Sequence, residues 1–414
     1  VVMDVAPSRL ELADTGWTRG WEPPALLALT ATLFAFGVVS VYSASSFLAQ
    51  QAGLPAHHFA WRQAQGGLIG LVALLVCARI DYRVWQRAAW PIVWATFALL
   101  VFIVLPGTEE FAPRLNGSRR WLSVGVTVQP SEFAKLSVII WTAMMAVRKR
   151  DAFRSLSKGL LPFFTVWGLL LVPIALEPDL STTMLIGLVG ALTLFAAGAR
   201  IGHFIFLGLV VTPVLWQQLF GVEYRLKRLL AWLNPTADVS GSGYQLYQAL
   251  IAFGSGGITG RGFGEGQQKF GFVPEPHNDF IFAMIGEEWG FIGVLLVVVA
   301  FVALIMVGYR VGRRAPDLFG QLLAVGCTNL IALQAFLNMG VGLGLLPATG
   351  LPLPLVSYGR SSVVVIFVAV GLLMSVARQT DVDWAPDTLE RTRRPDLARD
   401  VGRGAVAAVP SEVA

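Results

Sequence analysis

The stretch Phe272-Val-Pro-Glu-Pro-His-Asn-Asp-Phe-Ile-Phe-Ala-Met-Ile-Gly-Glu-Glu-Trp-Gly-Phe-Ile-Gly293 joins a polar, proline-broken loop to a long apolar run. One carboxylate, Asp279, sits at the junction, and two more, Glu287 and Glu288, lie inside the run. Carboxylates at or below a membrane surface are costly, so a chain that keeps them is expected to use them. Gly286, Gly290 and Gly293 fall near the Asp279 face of the helix expected to start there. Small residues at that spacing allow close packing. Asp279 is therefore placed at the floor of a protein-lined cavity, where burial raises its pKa and a neighbouring cation lowers it.

Apolar runs of similar length recur on both sides of this stretch. The 414 residues are 55% hydrophobic and 14% charged, against about 25% charged in a soluble domain. The fold class is an all-α polytopic membrane protein. At ~1.5 Å of rise per residue and ~20 residues per crossing, spans are expected near 25–48, 62–80, 88–105, 132–147, 160–176, 182–198, 201–220, 280–308, 319–344 and 361–377, about ten transmembrane helices. The first ~20 residues are polar and unlike a cleavable leader, so the first span is expected to be an uncleaved anchor.

Basic residues orient the spans. Arg79, Arg83 and Arg87 follow the second, Arg148 to Lys158 the fourth, Arg200 the sixth, Arg310, Arg313 and Arg314 the eighth, and Arg378 opens the tail. With alternating spans they share one side, the cytoplasm. That gives a cytoplasmic N-terminal segment (1–22), a transmembrane domain (23–377) and a disordered cytoplasmic tail (378–414). A large extracytoplasmic loop (221–279) lies between spans seven and eight. The short outer loop 106–131 breaks the rule with Arg114, Arg119 and Arg120. An anionic ligand handled outside would explain that cluster. The formal charge of +5 does not point to nucleic acid. Cys77, Cys327 and the four histidines have no metal-type spacing, and the cysteines read as inert buried thiols.

Three further segments carry chemistry. In Gln129-Pro-Ser-Glu-Phe-Ala-Lys135, Pro130 suits a helix's first turn, and Glu132 and Lys135 share a face three residues apart. The pair either anchors the helix end or lines a site. In Glu177-Pro-Asp-Leu, Asp179 is suited to cap the next helix. Phe253-Gly-Ser-Gly-Gly-Ile-Thr-Gly-Arg-Gly-Phe-Gly-Glu-Gly is either a flexible lid or a backbone cradle for a diphosphate, without a nucleotide fingerprint. Residues 244–252 are expected to form a short surface helix. Leu346-Pro-Ala-Thr-Gly-Leu-Pro-Leu-Pro-Leu-Val-Ser-Tyr-Gly-Arg-Ser-Ser, kinked at membrane depth, is expected to shape the cavity wall.

Together Asn116-Gly-Ser-Arg-Arg-Trp, Gln129-Pro-Ser-Glu-Phe-Ala-Lys, Pro178-Asp-Leu, Gly243-Tyr-Gln, Pro274-Glu-Pro-His-Asn-Asp-Phe-Ile-Phe-Ala and Val356-Ser-Tyr-Gly resemble the SEDS family, which contains RodA and FtsW. The resemblance covers roughly 25–377, and His277 to Glu288 looks more like the division member FtsW. It implies a peptidoglycan glycosyltransferase of the cytoplasmic (inner) membrane that polymerises lipid II, with its active site facing outward. It also implies a class B penicillin-binding protein transpeptidase and other divisome proteins as partners. The family's essential aspartate carries over to Asp279. Substrate-binding roles carry over to Arg120, Glu132 and Lys135, and are extended to His277, Ser357 and Arg360. Arg360 departs from the family's usual glycine and could add a phosphate contact. No cofactor is required by the residues, although a divalent cation (Mg or Mn) could share the charge. A flippase for lipid II, or a scaffold recruiting a transpeptidase, also fits the composition.

Overall fold

The structure, a computed structural model, describes residues 20–114, 118–124, 126–150, 153, 159–236, 239, 241 and 243–393. Asn116 and Gly117 of the first motif, Arg154, Lys158, most of the N-terminal segment and residues 394–414 of the tail lie outside the described residues.

Among the described residues, twelve helices and one small hairpin follow in order: α1 (Glu22–Gln51), α2 (His58–Arg79), α3 (Tyr82–Val104), β1 (Leu122–Val124), β2 (Val126–Val128), α4 (Pro130–Lys149), α5 (Leu161–Leu176), α6 (Leu180–Ala196), α7 (Ile201–Phe220), α8 (Glu223–Leu233), α9 (Tyr244–Gly256), α10 (Ile281–Arg314), α11 (Leu318–Gly342) and α12 (Arg360–Arg393). A helix occupies every stretch that the apolar runs mark. Seven are long and apolar enough to cross a membrane, and α5 and α6 are shorter apolar helices. α4 carries Glu132, Lys135, Arg148 and Lys149, yet most of its residues are buried. The tail boundary expected at Arg378 falls inside α12.

α4, α11 and the first part of α12 form the centre. Trp141, Met144, Leu323, Cys327, Ile366 and Leu373 are fully or almost fully buried there. Burying backbone polar groups inside helices is what lets these segments sit in hydrocarbon. α2 and α12 approach closely; a Cβ added at Gly371 would lie 2.7 Å from the Leu74 carbonyl oxygen. α10 packs on α1, α9 and α11, while α6 packs on α4 and α11. α7 buries no residue at all.

The basic groups that the sequence assigns to one side meet at one end of the bundle. Arg310 Nε and Arg314 Nη1 hold Glu22 at 2.8 and 2.7 Å, and Arg310 stacks over Trp21. Arg83 and Tyr82 hold Asp317, and Arg378 donates to the Ala78 carbonyl. The loop 221–279 is more ordered than its composition suggests, since it contains α8 and α9. α9 is no loose surface helix: Leu246, Ala249, Ala252 and Gly256 are buried, and α10 is what they pack against.

Candidate active site

α10 begins at Ile281 with Phe280 at its N-cap. Asp279 therefore sits two residues ahead of the helix and does not cap it, contrary to the expectation that it starts one. Pro274 and Pro276 stiffen the approach by fixing φ. Three successive carbonyls of the turn are each taken by a donor. His277 O accepts from the Tyr358 N–H at 2.9 Å, Asn278 O from Ser357 Oγ at 2.7 Å and Asp279 O from Asn338 Nδ2 at 3.1 Å. With its backbone held by α11 and by the 353–358 segment, Asp279 has a fixed place. Its carboxylate faces Gly350: a Cβ built there would lie 3.7 Å from Asp279 Oδ2. Gly350 has φ +75°, a conformation that suits glycine. The proline-rich segment thus lies against the Asp279 turn.

Asp279 is half-buried. Burial is the main reason its pKa is pushed up to about 6, and Glu275 adds to the rise. Arg228 and Arg120 oppose it, while Asp179 adds to it. His277 is buried, and its ring packs 4.6 Å from Phe59 and 5.4 Å from Tyr358. Burial pushes its pKa down to about 4, so it is neutral at pH 7. Ser357 is 1% exposed; it donates to Asn278 O and accepts from the Leu353 N–H at 2.7 Å. In this structure His277 and Ser357 brace the turn that presents Asp279.

Arg120 binds the connection between α5 and α6. Its Nε donates to the Glu177 carbonyl at 3.1 Å, its Nη2 to the Pro178 carbonyl at 2.9 Å, and its Nη1 lies 3.6 Å from Asp179. Pro178 has φ +26°, a strained value that this grip helps to hold. Asp179 caps α6 by accepting from the Thr182 N–H at 3.1 Å. Beside it, Glu177 is 2% exposed, and neither carboxylate oxygen has a hydrogen-bond partner among the described residues. Burial, with the Asp179 charge, pushes its pKa up to about 8.

Glu132 and Lys135 form the expected pair at 2.7 Å, almost fully buried. Lys135 also donates to Gln334 Oε1 at 3.1 Å, and Gln334 Nε2 donates to the Pro352 carbonyl at 2.9 Å. Four residues on, Asn338 binds the Leu351 carbonyl at 2.7 Å besides that of Asp279. The two amides of α11 therefore tie the α4 ion pair, the Leu351–Pro352 carbonyls and Asp279 into one network. Sequence reasoning passed over both; polar amides four apart inside an apolar span were the signal. Arg360 packs its stem against Gly66 of α2, and its guanidinium has no hydrogen-bond or ion-pair partner among the described residues.

The glycine-rich segment is neither a lid nor a cradle. α10 breaks at Gly290, with φ 64° and ψ −162°. Segment 257–262 pairs with that break: Arg261 and Gly262 N–H donate to the Glu287 and Glu288 carbonyls, and Phe291 and Ile292 N–H to the Gly257 and Ile258 carbonyls. A Cβ at Gly290 would lie 2.3 Å from the Gly260 nitrogen, so the glycines serve backbone contact. The Glu287 carboxylate accepts the N–H groups of Gln267 and Gln268. Glu288 accepts from Ser43 Oγ at 2.6 Å and Lys269 Nζ at 2.7 Å. The two intramembrane acids thus moor the outer loop to α1 and α10.

Among the described residues no three His, Cys, Asp or Glu side chains are grouped to hold a metal ion. Asp279, Asp179 and Glu275 therefore offer no all-protein cage for the divalent cation that the sequence leaves open. What the arrangement offers is a fixed carboxylate with a raised pKa, in the field of two arginines, at the end of the bundle opposite the basic cluster.

Comparison with known proteins gives a consistent result. The family model described as cell cycle protein, covering FtsW, RodA and SpoVE, matches residues 24–382. A probable peptidoglycan glycosyltransferase FtsW of Geobacter metallireducens is 40% identical over 353 residues, which is 85% of this chain and 93% of the relative. Stage V sporulation protein E of Bacillus subtilis is 39% identical over 364 residues, 87% of this chain and 98% of the relative. Among solved structures, a chain of a peptidoglycan synthase complex, described as coordinating polymerization and crosslinking, superposes with a TM-score of 0.71 at 25% identity. That match covers 86% of this chain and 97% of the other. Thermus thermophilus RodA superposes with a TM-score of 0.59 at 24% identity, over 86% of this chain and 96% of RodA.

Proposed function

Because the chain belongs to the cell cycle protein family of FtsW, RodA and SpoVE, we propose that it is a peptidoglycan glycosyltransferase. It polymerises lipid II at the outer face of the cytoplasmic membrane and works in cell division beside a class B transpeptidase. The observation that carries the site is the Asp279 turn, whose three carbonyls are held by Tyr358, Ser357 and Asn338 while its carboxylate faces Gly350 and has no hydrogen-bond partner among the described residues.

In this reading Asp279 accepts the proton of the acceptor sugar's 4-hydroxyl. That oxygen forms a bond to the anomeric carbon of the lipid-linked strand, the bond from that carbon to the diphosphate oxygen breaks, and the lipid diphosphate departs. A base works best with a pKa near the operating pH, and about 6 meets that need better than the ordinary 3.8. The positive field of Arg120 favours the charge that develops on the leaving group. The buried Glu132–Lys135 pair, through Gln334, sets the wall on which the substrate rests. The Arg79, Arg310 and Arg314 end of the bundle faces the cytoplasm in this reading, and the Asp279 end faces outward.

The test uses purified protein in detergent with lipid II. Detergent offers no bilayer to flip across, so glycan polymer formed there belongs to an enzyme. Failure to form polymer, with the cognate transpeptidase present, favours a transporter or scaffold. The base must be ionised, so kcat/KM should fall as pH drops through about 6; an acid limb near 4 would argue against a buried base.

A further inference from the structure

The family resemblance gives Arg120 and Lys135, both cations, substrate-binding roles. The structure shows both engaged elsewhere. Arg120 grips the Glu177 and Pro178 carbonyls and Asp179, and Lys135 is 1% exposed and held by Glu132 and Gln334. In the outer loop, Lys227 pairs with Glu223 and Lys269 with Glu288. The cations whose fields act on Asp279 are Arg228 and Arg120. Of these two, Arg228 alone has no ion pair or hydrogen bond among the described residues.

Arg228 is also held in place. It lies half-buried on α8, with its Cζ 4.5 Å above the centre of the Tyr224 ring. One helical turn further on, Trp232 Nε1 donates to the Gly344 carbonyl at 3.0 Å. That bond pins α8 to the end of α11, the helix whose Asn338 holds Asp279. The guanidinium lies over the ring, and its N–H donors have no hydrogen-bond or ion-pair partner among the described residues. Such a fork suits two oxygens of a phosphate group at once, which a flexible ammonium does not.

We propose that Arg228 is the diphosphate-binding side chain of this site and positions the lipid-linked donor beside Asp279. This rests on the glycosyltransferase reading above. Arg120 then shapes the 177–179 turn and adds to the field, and Arg228 makes the direct contact. A phosphodiester of an anionic phospholipid offers similar oxygens, so the test separates the two sources.

The test compares the full chain with Arg228→Gln and Arg228→Lys in neutral detergent. Binding of undecaprenyl diphosphate and of dioleoylphosphatidylglycerol is read by thermal shift, without turnover. Arg228→Gln should bind undecaprenyl diphosphate about ten- to a hundredfold more weakly and raise KM for lipid II by a similar factor. Arg228→Lys should fall between it and the wild type. Melting without ligand should match in all three proteins, and Arg228→Lys keeps the charge if Arg228→Gln unfolds. Equal affinity of all three for undecaprenyl diphosphate overturns the proposal. So does weakening confined to the phospholipid, which would mark a headgroup site. An unchanged KM with a shifted pH profile overturns it too, by limiting Arg228 to tuning Asp279. Since binding is read without catalysis, a wild type that makes no glycan sinks the glycosyltransferase reading and leaves the affinity result to stand separately.

Discussion

Lys269→Met is the perturbation that best tests how the outer loop is held. Lys269 Nζ makes three contacts: Glu288 at 2.7 Å, the Gly264 carbonyl at 2.7 Å and Ser43 Oγ at 3.0 Å. Both charged side chains are 5% exposed, so solvent screens the pair little. Removing the cation leaves Glu288 buried with Ser43 as its remaining partner. Breaking a buried pair this way costs about 3–5 kcal/mol. If the cost falls on loop attachment, the open population rises about 200- to 5,000-fold. Phe263, Phe270 and Phe272 are about half-exposed in this loop and give chymotrypsin its sites. Cleavage of a transiently opened segment follows the open population when closing is fast. Lys269→Met should therefore be cut about 200- to 5,000-fold faster than the wild type. Lys269→Met/Glu288→Gln, which removes the stranded charge as well, should recover to within about tenfold of the wild type. Wild-type cleavage of the single variant, or a double variant as fragile as the single, would refute the mooring.

Two other outcomes follow from the site. The folded-state pKa of Glu177 is about 8 against an ordinary 4.5, so the folded protein keeps its proton where the unfolded chain has lost it. Stability should fall as pH rises from about 4.5 to 8, by up to about 5 kcal/mol, and level off above. Glu177→Gln should abolish that slope in pH-dependent melting, and a retained slope would place its cause elsewhere. Asn338→Leu strands the Asp279 and Leu351 carbonyls; kcat should fall with KM little changed. The acid limb should also move below about 6 as water reaches Asp279, whereas an unmoved limb would make Asn338 merely structural.

The helices were legible because a segment that crosses lipid must satisfy its own backbone and present about 20 apolar residues. α8 was not, since Glu223, Arg225, Lys227 and Arg228 make it polar and no crossing demands its pattern. The break at Gly290 escaped because a periodic small-residue stripe reads equally as helix packing. Asp279 stood out as an acid at a polar–apolar junction. The partners that fix it did not, for Ser357, Tyr358 and Asn338 come from distant segments and act on its backbone. For Arg120 the sequence conveys charge and address, while its use on the Glu177 and Pro178 carbonyls is a matter of tertiary contact.

The central claim is that Asp279 takes the proton in glycan polymerisation, and Asp279→Asn measured with lipid II in detergent tests it most directly. The carboxylate makes no hydrogen bond among the described residues, so the variant should melt as the wild type does. Its polymerisation rate should fall by about 10²–10⁴-fold. Polymer formed at the wild-type rate by folded Asp279→Asn would contradict the account.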